Sequence, residues 1–233
     1  MMRRGSIVFA VAMLALLFAG LAIDYTERES LRPLAESYVR LLPQEVATPN
    51  VITGILLAYR AFDTLGEVAV LFMVAAGVGL VLGGGVMRGG TSAAADAEPV
   101  RPASELVQTG AKILCPLIMI FAAYIIMNGH ISAGGGFQGG AVIASGITLL
   151  LLAQPDYRLD VNFLSITESL AGVLFVSVGV AGLLFASGFL DNRVLPLGRF
   201  GAFYSAGTIP ILSVLLGVKV GCELCVIVDR FRR

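Results

Sequence analysis

Runs of close to twenty apolar residues recur along the chain, at 5–23, 67–86, 110–127, 136–153, 163–185 and 206–228, each bounded by polar or small residues. A helix needs roughly 20 such residues to cross a hydrocarbon core of about 30 Å. The pattern predicts an all-α integral membrane protein with about six transmembrane helices, two before a seam and four after it. The seam is residues 88–104, RGGTSAAADAEPVRPAS, rich in small residues, Gly and Pro and poor in large apolar ones, which reads as a linker. It divides the chain into modules at 1–87 and 105–233.

Two stretches of the first module break the simple pattern. From Asp24 to Asn50, charges alternate with Leu31, Leu34, Tyr38, Val39, Leu41 and Leu42 at a spacing suited to an amphipathic helix on the membrane surface, ended by Pro43 and Pro49. From Asn50 to Glu67, NVITGILLAYRAFDTLGE, the residues Tyr59, Arg60, Asp63 and Glu67 interrupt an apolar run. A helix bent at the membrane boundary fits this stretch, with Arg60 and Asp63, and Asp63 and Glu67, sharing a face.

Composition agrees with the pattern. Hydrophobic residues make up 57% of the chain and charged ones 14%, too few to coat a soluble domain, and the mean hydropathy is +0.89. The formal net charge of zero argues against a nucleic-acid partner. The distribution of Lys and Arg favours a multi-pass arrangement with both termini in the cytoplasm, the inner positions including Arg3, Arg4, Lys112, Arg158, Arg230 and Arg232. Lys112 reads as a residue snorkelling to the membrane surface. Arg3 and Arg4 precede the first apolar run as they would in a secretory signal, but no small-residue cleavage site follows, so it reads as a retained anchor. Cys115, Cys222 and Cys225 fall within apolar helices, with no second pair or nearby His, and read as packing residues, not metal ligands.

The candidate chemistry lies in ionisable residues inside the apolar runs, where an idle charge costs about 2.5 to 3.5 kcal/mol. Lys219 and Glu223 are four residues apart on one helix face and can neutralise each other. Glu67 opens the second run, where the helix dipole favours a carboxylate, and Glu168 sits in the fifth run and ranks last. Asp63 and Arg60 stand at the mouth of the second run. The segment NGHISAGGGFQGG, residues 128–140, packs six glycines and the single histidine of the chain into thirteen residues. His130 is a proton acceptor or a hydrogen bonder that fixes the turn. Gly134, Gly135, Gly136, Phe137, Gln138, Gly139 and Gly140 suit a re-entrant or tightly packed turn and the close approach of another helix.

The glycine segment, continued as AVIASG, with GVKVG at 217–221, resembles the MnhB component of Mrp-type multisubunit sodium/proton antiporters over about the last 130 residues. The segment NVITGILLAYRAFDTLGEVAVL resembles the C-terminal end of the large component that precedes MnhB in those complexes, or the small one in its place in membrane-bound hydrogenases related to respiratory complex I. No large antiporter domain stands ahead of that segment. The resemblance implies an ion-translocation component of a prokaryotic cytoplasmic membrane, not an enzyme by itself, with Na⁺ and H⁺ as the ions moved. Its implied partners are large antiporter-like subunits, small membrane subunits and the lipid bilayer. Alternatively, hydrogenase-like redox subunits accompany it, or it is a scaffold in which no ion passes. No flavin, nucleotide or iron–sulfur motif occurs in the chain, so any redox centre is expected on a partner.

Overall fold

In a computed structural model, the chain is described except for Met1, Asp24, residues 27–29, 88–102 and Arg233. The predicted linker therefore lies almost wholly outside the described residues. The chain divides into two units, Met1–Ser37 and Tyr38–Arg233. The first contains α1, Met2–Ile23, apolar on every side over Ile7–Ile23, and the start of α2, Pro33–Glu45.

Proline does not end α2 where the sequence suggested. Pro43 lies inside the helix, because its missing N–H falls in the last turn, where only one backbone bond is lost. The end comes at Ala47, whose positive φ of 56° turns the chain while Val46 and Ala47 both donate to the Leu42 carbonyl.

In the second unit, α3, Val51–Gly54, runs into a π-helical stretch, Ile55–Tyr59, and a break at Arg60 before α4, Ala61–Met87. This is the expected bend. Asn50 starts α3 by accepting from the Ile52 and Thr53 amides, and Thr64 Oγ1 donates across the break to the Leu56 carbonyl at 2.7 Å. Because α4 begins at Ala61, Glu67 lies in its second turn and not at its start. The helix-dipole benefit expected for it falls instead to Asp63 in the first turn.

Four helices follow: α5, Glu105–Met127; α6, Gly136–Ala153; α7, Val161–Phe185; and α8, Ile209–Arg232. Ser104 caps α5 and Asp160 caps α7, so each starts a few residues before its apolar run. Together with α4 these are long and apolar enough to cross a membrane, five such helices among the described residues, and the apolar part of α1 is shorter than any of them. The protein is an all-α, multi-pass membrane protein.

The most buried span is α8, packed by α4, α6 and α7. Its contact with α6 depends on absent side chains: a Cβ on Gly140 would stand 2.8 Å from the Gly217 carbonyl oxygen and 2.8 Å from Val220 Cβ. Val68 and Leu71 of α4 meet Leu216, Val220 and Leu224 of α8. At its far end α8 is tied down by Arg230, which donates to the Ala75 carbonyl of α4, and Arg232, which donates to the Pro155 and Tyr157 carbonyls.

Candidate functional site

Lys219 and Glu223 lie in consecutive turns of the central helix, and α7 brings a third charge to them. Lys219 Nζ donates to Glu223 Oε1 at 2.6 Å and to Glu168 Oε1 at 2.8 Å. All three residues are buried, Glu223 completely. Gly172, one turn along α7 from Glu168, lies against the methylene stem of Lys219. From α4, the ring of Phe72 covers the ammonium at 5.6 Å. The anticipated pair is thus a triad, and Glu168, ranked last from the sequence, is a full member of it. Two carboxylates around one ammonium leave one negative charge over when all are ionised. Inside a membrane span that excess must be met by a proton or by another cation.

Glu67 stands apart from the triad. It is exposed and makes no hydrogen bond or ion pair among the described residues. It opens on a cavity of about 580 Å³ whose wall includes Thr53, Thr64, Leu71, Gly134, Gln138 and Leu216. Arg60 and Asp63 pair with each other at 2.5 Å on the exposed surface of the break, and no ion pair extends from them to Glu67 among the described residues.

The glycine segment serves as a joint. Gly134 and Gly135 have φ of 156° and 148°, which side chains rarely allow, and the turn they make delivers Gly136 and Gly140 to the face of α8. His130 is fully buried in this turn. The Phe203 carbonyl accepts from its Nε2 at 3.0 Å, which makes Nε2 the protonated nitrogen of the neutral ring. The backbone carbonyl of His130 accepts from Thr48 Oγ1 and from the Asn50 amide. Asn50 Nδ2 donates to the Gly129 and Ser132 carbonyls, each at 2.7 Å, and Thr53 Oγ1 donates to Gly129 at 2.8 Å. Three segments far apart in sequence thereby meet at one turn. Thr48, Asn50 and Thr53 were not among the residues expected from the sequence; the available signal was Asn50 as an N-cap ahead of VITG.

Burial holds the His130 pKa below its ordinary 6.5, although the carbonyls of Phe203, Ala202 and Met127 oppose that shift. The folded state therefore favours the neutral ring. Its stabilising effect is complete above pH 6.5 and is lost as pH falls below that value toward the lower folded pKa. Hydrogen-exchange protection factors at residues 128–135, taken against the intrinsic rate at each pH, should fall as pH drops from about 7 to about 5, and His130→Gln should remove most of that dependence.

In the segment between α7 and α8, Asp191 is held down to about 2 by the Arg193 side chain, which it meets at 2.6 Å. Cys225 is buried, Cys115 and Cys222 are half-buried, and all three are free thiols. No group of His, Cys, Asp and Glu among the described residues is arranged to hold a metal ion.

Two parts of the chain each match a known family. Residues 106–226 match the family model described as a domain related to the MnhB subunit of Na⁺/H⁺ antiporter, and residues 1–83 match the model of the E subunit of MBH. The B subunit of the Na(+)/H(+) antiporter of Bacillus subtilis is 40% identical over 93 residues, which is 37% of this chain and 63% of that protein. A chain of the membrane-bound sulfane sulfur reductase, an archaeal respiratory membrane complex, superposes with a TM-score of 0.78 at 30% identity, covering 99% of this chain and 98% of that one. A chain of the Mrp complex from a Dietzia species superposes at 0.73 and 25% identity, over 97% of this chain and 26% of that one.

Proposed function

The chain belongs to the family related to the MnhB subunit of Na⁺/H⁺ antiporters, and from that premise we propose that it works as a membrane subunit of a multisubunit cation/proton antiporter-like complex. Its contribution is ion translocation. The observation that supports this role most directly is the buried Glu168–Lys219–Glu223 cluster with its unbalanced charge. A packing device would be neutral, whereas a net charge inside a span is costly unless a mobile ion meets it. Glu67, open to its cavity, is a second acidic station, and the Arg60–Asp63 pair organises the surface beside it. His130 and the glycine turn, residues 134–140, hold α6 against α8 and thereby keep the cluster in place. The membrane is a prokaryotic cytoplasmic one in this reading, and the Lys and Arg bias supports an orientation with both termini inside.

A second reading places the chain in a redox-driven complex that couples electron transfer to an ion gradient. What favours it is the coverage of 98% of a chain from the sulfane sulfur reductase complex, against 26% of the Mrp chain. Mass spectrometry of the complex copurified in mild detergent separates the two, since redox subunits accompany the chain only in the second.

The role itself is tested by Glu223→Gln and Glu67→Gln in membrane vesicles, with assembly checked on native gels. Translocation requires at least Glu223→Gln to assemble and to lower cation-driven proton movement by roughly tenfold or more, the effect of about 1.4 kcal/mol on a barrier. A scaffold would assemble and retain transport in both variants.

A further inference from the structure

We propose that Lys219 determines the ion specificity of the buried cluster: its ammonium occupies the position between Glu168 and Glu223 that a metal cation would take, so the cluster accepts protons and excludes sodium. This rests on the reading of the cluster as an ion-translocating site.

The ammonium lies 2.8 Å from Glu168 Oε1 and 2.6 Å from Glu223 Oε1, between the two oxygens that would otherwise ligate a cation. A hard metal ion stripped of water needs a shell of several oxygen ligands. With Lys219 in place the surroundings of Nζ do not supply one, whereas the space its side chain vacates in Lys219→Ala admits the waters that would complete a shell with the two carboxylates. The ring of Phe72 faces it, Gly172 has no side chain, and its hydrogen-bond acceptors are the two carboxylates alone among the described residues. An aromatic face and two carboxylates suit an ammonium that stays in place.

A proton needs no such shell, because it is carried by one carboxyl oxygen. Glu223 Oε2 is buried and accepts no hydrogen bond among the described residues. Loading it consists of proton transfer from hydronium: an O–H bond forms on the carboxyl group as one in hydronium breaks, and water departs. The cluster then carries no net charge, Lys219 remains an ammonium, and unloading is the reverse. No electron moves. Sodium carried by the same complex must therefore pass elsewhere than between these three side chains.

The test is thermal unfolding of the purified complex in sodium chloride and in choline chloride at equal ionic strength, a binding readout independent of transport. The sodium-dependent shift in Tm should be the same in the unmodified complex and in Glu223→Gln. Lys219→Ala should melt lower in choline, and sodium should restore several degrees by filling the vacated position between the carboxylates. Adding Glu168→Gln to Lys219→Ala should abolish that rescue. The proposal is overturned if Glu223→Gln removes a sodium shift present in the unmodified complex, or if Lys219→Ala assembles and gains no sodium dependence. Should Lys219→Ala fail to assemble, the comparison with Glu223→Gln decides alone. Loss of transport in Glu223→Gln with no sodium effect supports both the translocation role and its proton specificity, whereas retained transport removes the role first.

Discussion

Lys219→Met should lower the stability of the complex by about 3–5 kcal/mol, the usual cost of removing one partner from a buried charge cluster. The methionine fills much of the same space, so the loss is electrostatic. Glu168 and Glu223 are left facing each other across the position of the ammonium, with Glu223 wholly enclosed. The measurement is thermal unfolding of the detergent-solubilised complex, with assembled yield as a second readout. Replacing all three members together, as Glu168→Leu, Lys219→Met and Glu223→Leu, should recover most of the stability, because an apolar substitute for a complete ionic cluster is often neutral or better. Transport should stay absent in that triple variant. Recovery of transport along with stability would mean that the charges are dispensable for ion movement, and the proposed function would fall.

Gly140→Leu should be nearly as damaging for a different reason. Gly140 faces a carbonyl oxygen and a β-branched side chain of α8 at distances that leave no space for even one carbon. The carbonyl belongs to the helix backbone and cannot rotate aside, so α6 and α8 must separate. Overpacking of this kind costs about 1–3 kcal/mol and occasionally more, and Leu adds three carbons beyond the clashing Cβ. Since Val220 on the same contact is adjacent to Lys219, the separation should also displace the cluster. Gly140→Ala should give a smaller drop in Tm and Gly140→Leu little assembled complex. Equal melting of both variants and the unmodified complex would show that the α6–α8 contact is looser than described.

The bend near Arg60 and the glycine turn were legible because each has a local cause, in interrupted hydrophobicity and in residues that permit unusual backbone. Helix starts were less so: α4 begins at Ala61, ahead of the apolar run counted from Glu67, and that shift moves the carboxylate from the helix end to its second turn. The survival of α2 past Pro43 was hidden for a similar reason, since a proline in a last turn loses little. Asn50 and Thr48 were missed because their partners are the carbonyls of residues 129, 130 and 132, some eighty positions away.

The sequence by itself determined that this is a helical membrane protein, the positions of five of its six expected spans to within a few residues, and that Lys219 and Glu223 share a face, because membrane solvation and helical spacing act over one or a few turns. Only the tertiary structure decided that Glu168 completes a cluster with an unbalanced charge while Glu67 stands outside it. Residues 168 and 219 lie on different helices, and their meeting depends on how α7 and α8 pack, which no short-range pattern encodes.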